Sequence, residues 1–494
     1  MLVGPGRRRI DLPLALAAGF AMLWAVARAS VQSITMDEAD TYLDFVGRAA
    51  PFHWWPFPNN HLLNSLLMRM FTLIFGTSHF TVRLPALIGA AMYIGVCGYL
   101  CVLLPARSAF RFTLFLCLVY NPFVFDFLVA ARGYGWAMAL LLCVVAVPAA
   151  GLERDTSTAK LCAACSALAA LSFTANFSFA FADFAVLLMA LLWIGRERGF
   201  SFRSLAAAVV PGAVVIVLLP LSILLHFPRE QLYAGTNSLW QTFKSVIHWS
   251  LYELNPEVAS PLMLQLMRRI EKLLFPALGL IVTWRLVLVI RDKPNGKQAR
   301  WLRSLAVVLA GAAAIATVLH WIAFHAFGLL MPLDRTASFY VPLCTLAVGA
   351  MASIPIESRM GRASYYAFLA VLMLFALHFL YSMRLTYFAE FRYDADLKKV
   401  YAALAGYNHD YCVDRVESDW FYTSALNFYR LVSGRESFSE FQRAYVHSED
   451  AQVYVLEANI DRKFIDAQKL TVVFHGDSTE AVIAVRPGLA RCRE

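Results

Sequence analysis

The residues of this chain best placed to do chemistry lie between positions 35 and 44. Thr35-Met36-Asp37-Glu38-Ala39-Asp40-Thr41-Tyr42 groups three carboxylates, and Asp44 adds a fourth, in a chain of which only 16% is charged. Thr35 and Glu38 have the Ser/Thr-x-x-Glu spacing of a capping box, in which the hydroxyl takes a backbone N–H three residues on and the acid reaches back to the N-cap. That spacing predicts a short helix starting at Thr35, with Glu38 occupied and Asp37 left free in the first turn. A helix N-terminus keeps such a carboxylate ionised at neutral pH, so it can take a proton from a hydroxyl held against it. Asp37, Asp40 or Thr41, and Asp44 then share one face, while Tyr42, Phe45 and Val46 turn to the other. An acidic face with a greasy back suits a helix lying on a membrane surface with its carboxylates aimed into a cavity. The alternative is a solvated acidic cap on an ordinary loop helix.

The elements around this stretch are built to cross a membrane. Sixty per cent of residues are hydrophobic, and the apolar runs have the roughly 20-residue length that a bilayer-spanning helix needs. Eleven spans are expected, near 11–29, 83–104, 110–128, 132–150, 159–178, 180–195, 204–226, 273–290, 303–326, 337–354 and 363–383. The first follows Arg7-Arg8-Arg9 but is longer than a signal-peptide core, and more spans follow, so it reads as a retained helix. With the N-terminus inside, each cytoplasmic connection is basic: Arg107 and Arg111; Arg154 and Lys160; Arg196, Arg198 and Arg203; Arg291 through Arg303; Arg359 and Arg362. This alternation obeys the positive-inside rule and places the acids on the outer side. It also accounts for the net charge of +9 without nucleic acid. Residues 61–76 are apolar but short and interrupted by Asn64 and Arg69, which predicts an interfacial helix; a span there would invert every later loop.

An outer loop over about 30–82 therefore carries the acidic helix, His53-Trp54-Trp55-Pro56 and Asn59-Asn60-His61, and a second, over about 227–272, is aromatic and amphipathic. Beyond residue 383 the composition becomes charged and globular, with helical patterns near 394–406 and 421–432 and strand-like runs near 411–416, 452–457, 470–475 and 480–486. The expected fold is an all-α polytopic membrane module, 1–383, followed by a small α/β domain on the outer face, 384–494. Six of the nine cysteines fall within spans, where cysteine packs as a small apolar residue, and no spacing resembles a zinc site. No metal site and no cofactor are expected, although a divalent cation is compatible with the acids. Cys412 and Cys492 both follow the last span, and in an oxidising space they could close a disulfide; the alternative is a free, frayed Cys492.

Four motifs in order now resemble a known family. Asp37-Glu38 after the first helix, Arg83-Leu84-Pro85 closing the outer loop, Arg132-x-Tyr134, and Asp334-Arg335 before a late helix are similar to those of the GT-C membrane glycosyltransferases. The nearest groups are the protein O-mannosyltransferase relatives, including bacterial lipid A aminoarabinose and galacturonosyl transferases, over about residues 1–385. The resemblance implies transfer of a sugar from a polyprenyl-phosphate donor to a glycolipid, polysaccharide or protein acceptor on the outer face of a plasma membrane, with inversion. It implies Asp37 as the base, with Glu38 or Asp40 as alternatives. Arg132 would meet the donor phosphate, unless it snorkels to lipid headgroups. Arg335 would join it, unless it pairs with Asp334. His61 stands at a phosphate-contacting position, although the relatives' Pro-Pro-Leu is absent. Asn60 and Tyr134 would line the cavity, and Asn176 and Asp183 could face it. Two other classes compete: a transporter of lipid-linked sugars, which would place charges near mid-bilayer, and a non-catalytic envelope scaffold.

Overall fold

The computed structural model describes residues 11–47, 57–154, 156–226, 234–258, 260–411, 413, 415–434, 439–444, 447–448, 450–489 and 491. His53-Trp54-Trp55-Pro56, Tyr233, Cys412 and Cys492 lie outside them. Helix α1 (Leu12–Val31) leads into α2 (Met36–Asp40), which opens into a wider π-turn over Thr41–Val46. There follow α3 (Leu62–Phe75), α4 (Leu84–Leu103), α5 (Ser108–Val119), α6 (Pro122–Val129), α7 (Tyr134–Gly151), α8 (Thr158–Ala175), α9 (Ala180–Arg198), α10 (Phe202–Leu218) and α11 (Leu221–Leu225). The bundle ends with α12 (Leu239–Ile247), α13 (Pro261–Asp292), α14 (Lys297–Phe327), α15 (Tyr340–Ala352) and α16 (Arg359–Tyr381).

Among the described residues, eight helices are long and apolar enough to cross a bilayer: α1, α4, α7, α8, α9, α13, α14 and α16. Helices α5 and α6 are long and apolar enough only as a pair, and they meet at a 60° bend, the shape of a broken span or a re-entrant loop. The break has a local cause: Pro122 cannot extend α5, and the Asn121 side chain accepts the N–H groups of Phe123 and Val124 to start a new helix. Two of the eleven expected spans are shorter than the sequence suggests. Helix α10 stops at 17 residues ahead of Pro220, and α15 has 13, ending before Pro355. At 1.5 Å per residue the latter covers about 20 Å of a roughly 30 Å hydrocarbon layer. The 14-residue α3 is likewise too short to cross, as its Asn64 and Arg69 suggest. In the segment expected as the second outer loop, helix α13 begins at Pro261, well before the expected start at 273.

After the bundle come α17 (Leu397–Tyr411), β1 (Val416–Asp419), α18 (Trp420–Val432), β2 (Arg443–Ala444), β3 (Val453–Glu457), α19 (Arg462–Ala467), β4 (Thr471–His475) and β5 (Ala481–Val485). The expected strand at 411–416 is displaced: the chain remains helical to Tyr411, and Asn408 accepts the Val413 N–H to close it, so pairing starts only at Val416. The sheet order is β2-β1-β3-β5-β4, with β1 parallel to β2 and β3 and the remaining pairs antiparallel.

One sheet face packs on α17 and α18 through Leu397, Leu404, Ala425, Val453, Val455 and Ile483, and that same apolar cluster takes in Ile34, Ala39, Tyr42, Val46 and Val82. The greasy back of α2 therefore does not lie on a membrane surface; it completes the core of the C-terminal domain. Tyr42 meets Phe428 edge-on at 5.5 Å, and the Ile34 N–H donates to the Tyr429 hydroxyl at 2.8 Å.

Candidate active site

Helix α2 starts as its spacing predicts. Glu38 N–H donates to the Thr35 hydroxyl at 3.2 Å, and Glu38 Oε2 takes the Thr35 N–H at 2.9 Å, so the capping box is complete. Glu38 does more than cap. Arg83 grips it in a fork, Nε to Oε1 at 2.8 Å and Nη2 to Oε2 at 2.7 Å, and the Ala131 N–H donates to Oε1 at 2.6 Å. Both side chains of the pair are fully buried. Burial pushes the Glu38 carboxyl up, but Arg83 and the N–H groups outweigh it and hold the group below its ordinary range. Arg83 spends its other protons on the carbonyls of Ala29, Gln32 and Ser33 at the end of α1. The pair thus ties α1, α2, α4 and the 130–133 turn to one point.

That turn carries Arg132. Its position depends on Gly133, where a Cβ would come within 1.8 Å of the Ala175 carbonyl oxygen at the end of α8. Arg132 is 1% exposed, so it does not snorkel to lipid. Its Nη1 donates to the Asp37 carbonyl at 3.0 Å and the Thr41 hydroxyl at 2.8 Å, and its Nη2 donates to Asn59 Oδ1 and lies 3.7 Å from Asp37 Oδ2. Arg335 approaches the same carboxylate from the other side, with Nη2 2.9 Å from Asp37 Oδ2. Asp334 does not pair with Arg335. It adopts a left-handed backbone at φ 50°, which aspartate tolerates, donates its N–H to Ser245 and accepts from Trp249 Nε1 at 2.7 Å. Fixed in this way, the short turn aims Arg335 at α2.

The sequence reading missed the fourth charge of the site. Arg335 Nη1 donates to Glu390 Oε1 at 2.7 Å, and the guanidinium sits 5.4 Å from the Phe391 ring centroid. Burial raises the Glu390 carboxyl to about 7, Arg335 pulling it down and Asp37 pushing it up. Glu390 lies on a strap running from α16 to α17. Asp126 Oδ2 takes the Ala389 N–H at 2.8 Å, Asp126 Oδ1 accepts from Arg28 at 2.7 Å, and Arg28 and Gln32 both donate to the Tyr387 carbonyl. An acid within Tyr387-Phe388-Ala389-Glu390-Phe391, just past the last span, was the signal available.

The remaining expected residues divide. His61 Nδ1 donates to the Ala175 carbonyl at 3.3 Å, and its ring lies 5.1 Å from that of Tyr134. Burial, then the charges of Arg132 and Arg335, push its pKa well below the usual value, so it is neutral, with a buried Nε2 that has no hydrogen-bond partner among the described residues. Asn60 is buried and accepts from Ser65 at 2.9 Å, which starts α3. Asp40 turns away from Asp37 and accepts from Ser424 of α18 at 2.6 Å, while Asp44 is exposed. The single acidic face is split because the π-turn after Asp40 changes the angular step. Asn176 turns its amide oxygen to Ser178, and Asp183 is buried at the start of α9; no described contact joins either to the arginines.

The geometry brings one buried carboxylate and two converging guanidinium groups to one end of the bundle. Two cations around one acid can hold a second anion, and phosphate suits the arginine fork. No family model matches this sequence, and no curated protein does. Solved structures do match its fold. The crystal structure of ArnT from Cupriavidus metallidurans bound to undecaprenyl phosphate aligns at TM-score 0.51 with 14% identity, over 98% of this chain and 99% of that one. The apo-state crystal structure of that ArnT aligns at 0.42 with 11% identity, over 97% and 99%. Over nearly its whole length, this chain is folded as undecaprenyl-phosphate-bound ArnT is.

Proposed function

We propose that this protein is an integral membrane glycosyltransferase that moves a sugar from a polyprenyl-phosphate donor to an acceptor hydroxyl. The observation that carries the reading is the convergence of Arg132 and Arg335 on Asp37. It is supported by the motif resemblance and by the undecaprenyl phosphate held by a structural neighbour. In the reaction, the donor phosphate lies between the two guanidinium groups and loosens their hold on Asp37. The acceptor hydroxyl attacks the anomeric carbon as its proton passes to Asp37; the bond from that carbon to the phosphate oxygen breaks, and the phosphate leaves with the electron pair. A single displacement inverts the centre. Glu38 is saturated by Arg83, the Thr35 N–H and the Ala131 N–H, so it positions Asp37 and the Arg132 turn rather than taking a proton. His61 and Tyr134 wall the site. The basic loops support an outward-facing site in a plasma membrane with the N-terminus inside.

The test is purified protein in detergent with a panel of radiolabelled polyprenyl-phosphate sugars, scored for cleavage of the sugar–phosphate bond and for transfer. At least one donor should be turned over. A panel that binds without any cleavage would favour a transporter and remove the transferase reading.

A further inference from the structure

The C-terminal domain carries a second constellation, outside the arginine site. Asp419 ends β1, His447 lies in the segment after β2, and Asp461 stands immediately before α19. His447 Nδ1 is 3.2 Å from Glu417 Oε1, and Glu417 also accepts the Ser448 N–H at 2.9 and 3.0 Å. The other ring nitrogen, Nε2, lies 3.0 Å from Asp461 Oδ1 and 3.4 Å from Asp419 Oδ1. Each aspartate gives its second oxygen to one shared donor, the Glu457 N–H, at 2.9 Å for Asp461 and 3.2 Å for Asp419. Each therefore turns Oδ1 toward the histidine. One ligand atom from each residue lies within 4.8 Å of the others, and the three side chains are only 9 to 11% exposed.

With Nδ1–H donated to Glu417, release of the Nε2 proton that otherwise bonds Asp461 Oδ1 leaves a lone pair at Nε2, and three electron-rich atoms then face one another. A cation between them removes the repulsion. Four ligands at about 2.0–2.1 Å around Zn²⁺ stand roughly 3.3–3.4 Å apart along a tetrahedron edge, close to the two distances from Nε2. One imidazole with two carboxylates fits a borderline transition metal better than Ca²⁺ or Mg²⁺, which favour all-oxygen sets. Glu417 occupies the place of the carboxylate that orients a metal-bound histidine.

We propose that Asp419, His447 and Asp461 bind one divalent transition-metal ion, best matched by Zn²⁺, with Glu417 orienting His447 and water in the open fourth position. The site ties together the end of β1, the segment after β2 and the start of α19. It also anchors the start of α18, in which Ser424 holds Asp40 of α2 and Tyr429 holds Ile34 just before that helix.

The full-length protein, stripped with chelator, is titrated with Zn²⁺ and separately with Co²⁺. Uptake of one ion per chain is expected, with visible Co²⁺ absorption of a four-coordinate site. His447→Ala and Asp461→Asn should lose that uptake. Glu417→Gln, which keeps all three ligands and serves if the others misfold, should weaken it by roughly 10- to 100-fold. Wild-type protein that takes up no ion, or variants that all bind as wild type does, would overturn the assignment; the first result would leave a protonated histidine bridging the carboxylates. Neither result touches the transferase reading.

Discussion

Asp37 and Glu38 are neighbours on one short helix, yet they sit in opposite kinds of surroundings. Glu38 meets one arginine in a fully buried fork and has two backbone N–H donors besides, so charge and hydrogen bonding are both closed. Around Asp37, two arginines and the acid Glu390 share a partly open space, with Arg335 and Glu390 each 22% exposed and Arg335 divided between two carboxylates. A closed pair holds shape, because exchanging any partner strands a buried charge. An open set can exchange partners, and an incoming phosphate would do that. The difference between framework and machinery is thus readable in how many partners compete for each charge.

Substitutions can break this contrast, and they rank by size. On the proposed reading Asp37→Asn removes the base and keeps the shape, so turnover should fall by roughly 100- to 10,000-fold with a smaller drop in unfolding temperature than Arg83→Met gives; single-turnover assays and thermal melts together check it, and normal turnover would end the assignment. Arg83→Met strands Glu38 and should cost about 3–5 kcal/mol of stability, lowering the melt before it alters any kinetic constant. Arg132→Ala should weaken donor use by about 1.5–3 kcal/mol, read as a rise in donor KM. Gly133→Ala should reproduce part of that loss without touching a charge, since the added methyl cannot fit against Ala175.

The smallest effect concerns pH. The Glu390 pKa is raised to about 7 by burial, so the folded protein favours its protonated form. Its stabilising contribution is complete below the ordinary glutamate range and fades as pH rises through about 7. Over that same interval the ionised form strengthens its claim on Arg335, so donor affinity should drop by roughly 2- to 10-fold, the worth of about one hydrogen bond. Glu390→Gln should flatten the profile; a slope that survives it would place the titrating group elsewhere.

Local rules made much of this legible. The capping box follows from a three-residue spacing, and the helical bundle follows from apolar runs. What the sequence hid was long-range. Glu390 pairs with Arg335 across 55 positions, and the proposed metal ligands Asp419, His447 and Asp461 have no short motif between them. The backing of α2 was misread because an apolar helix face looks the same whether lipid or a protein core covers it. The span at α10 was overextended because hydropathy averages over Pro220, which the backbone cannot ignore, and that at α15 because a tight turn over Asp334–Ala337 delays the helix to Tyr340.

The shared core between α2 and the C-terminal domain sets an order for biogenesis. Residue 37 emerges early, but the surface that covers the back of its helix comes from Leu397 to Val485, after the bundle has been threaded. Until those last residues fold, Tyr42 lacks the Phe428 ring, and Met36 lacks the Asp394 carboxylate that accepts its N–H at 2.8 Å. A nascent chain stalled before that point therefore holds its acids and arginines without the packing that registers them. On the proposed reading, activity should appear only on completion of the chain.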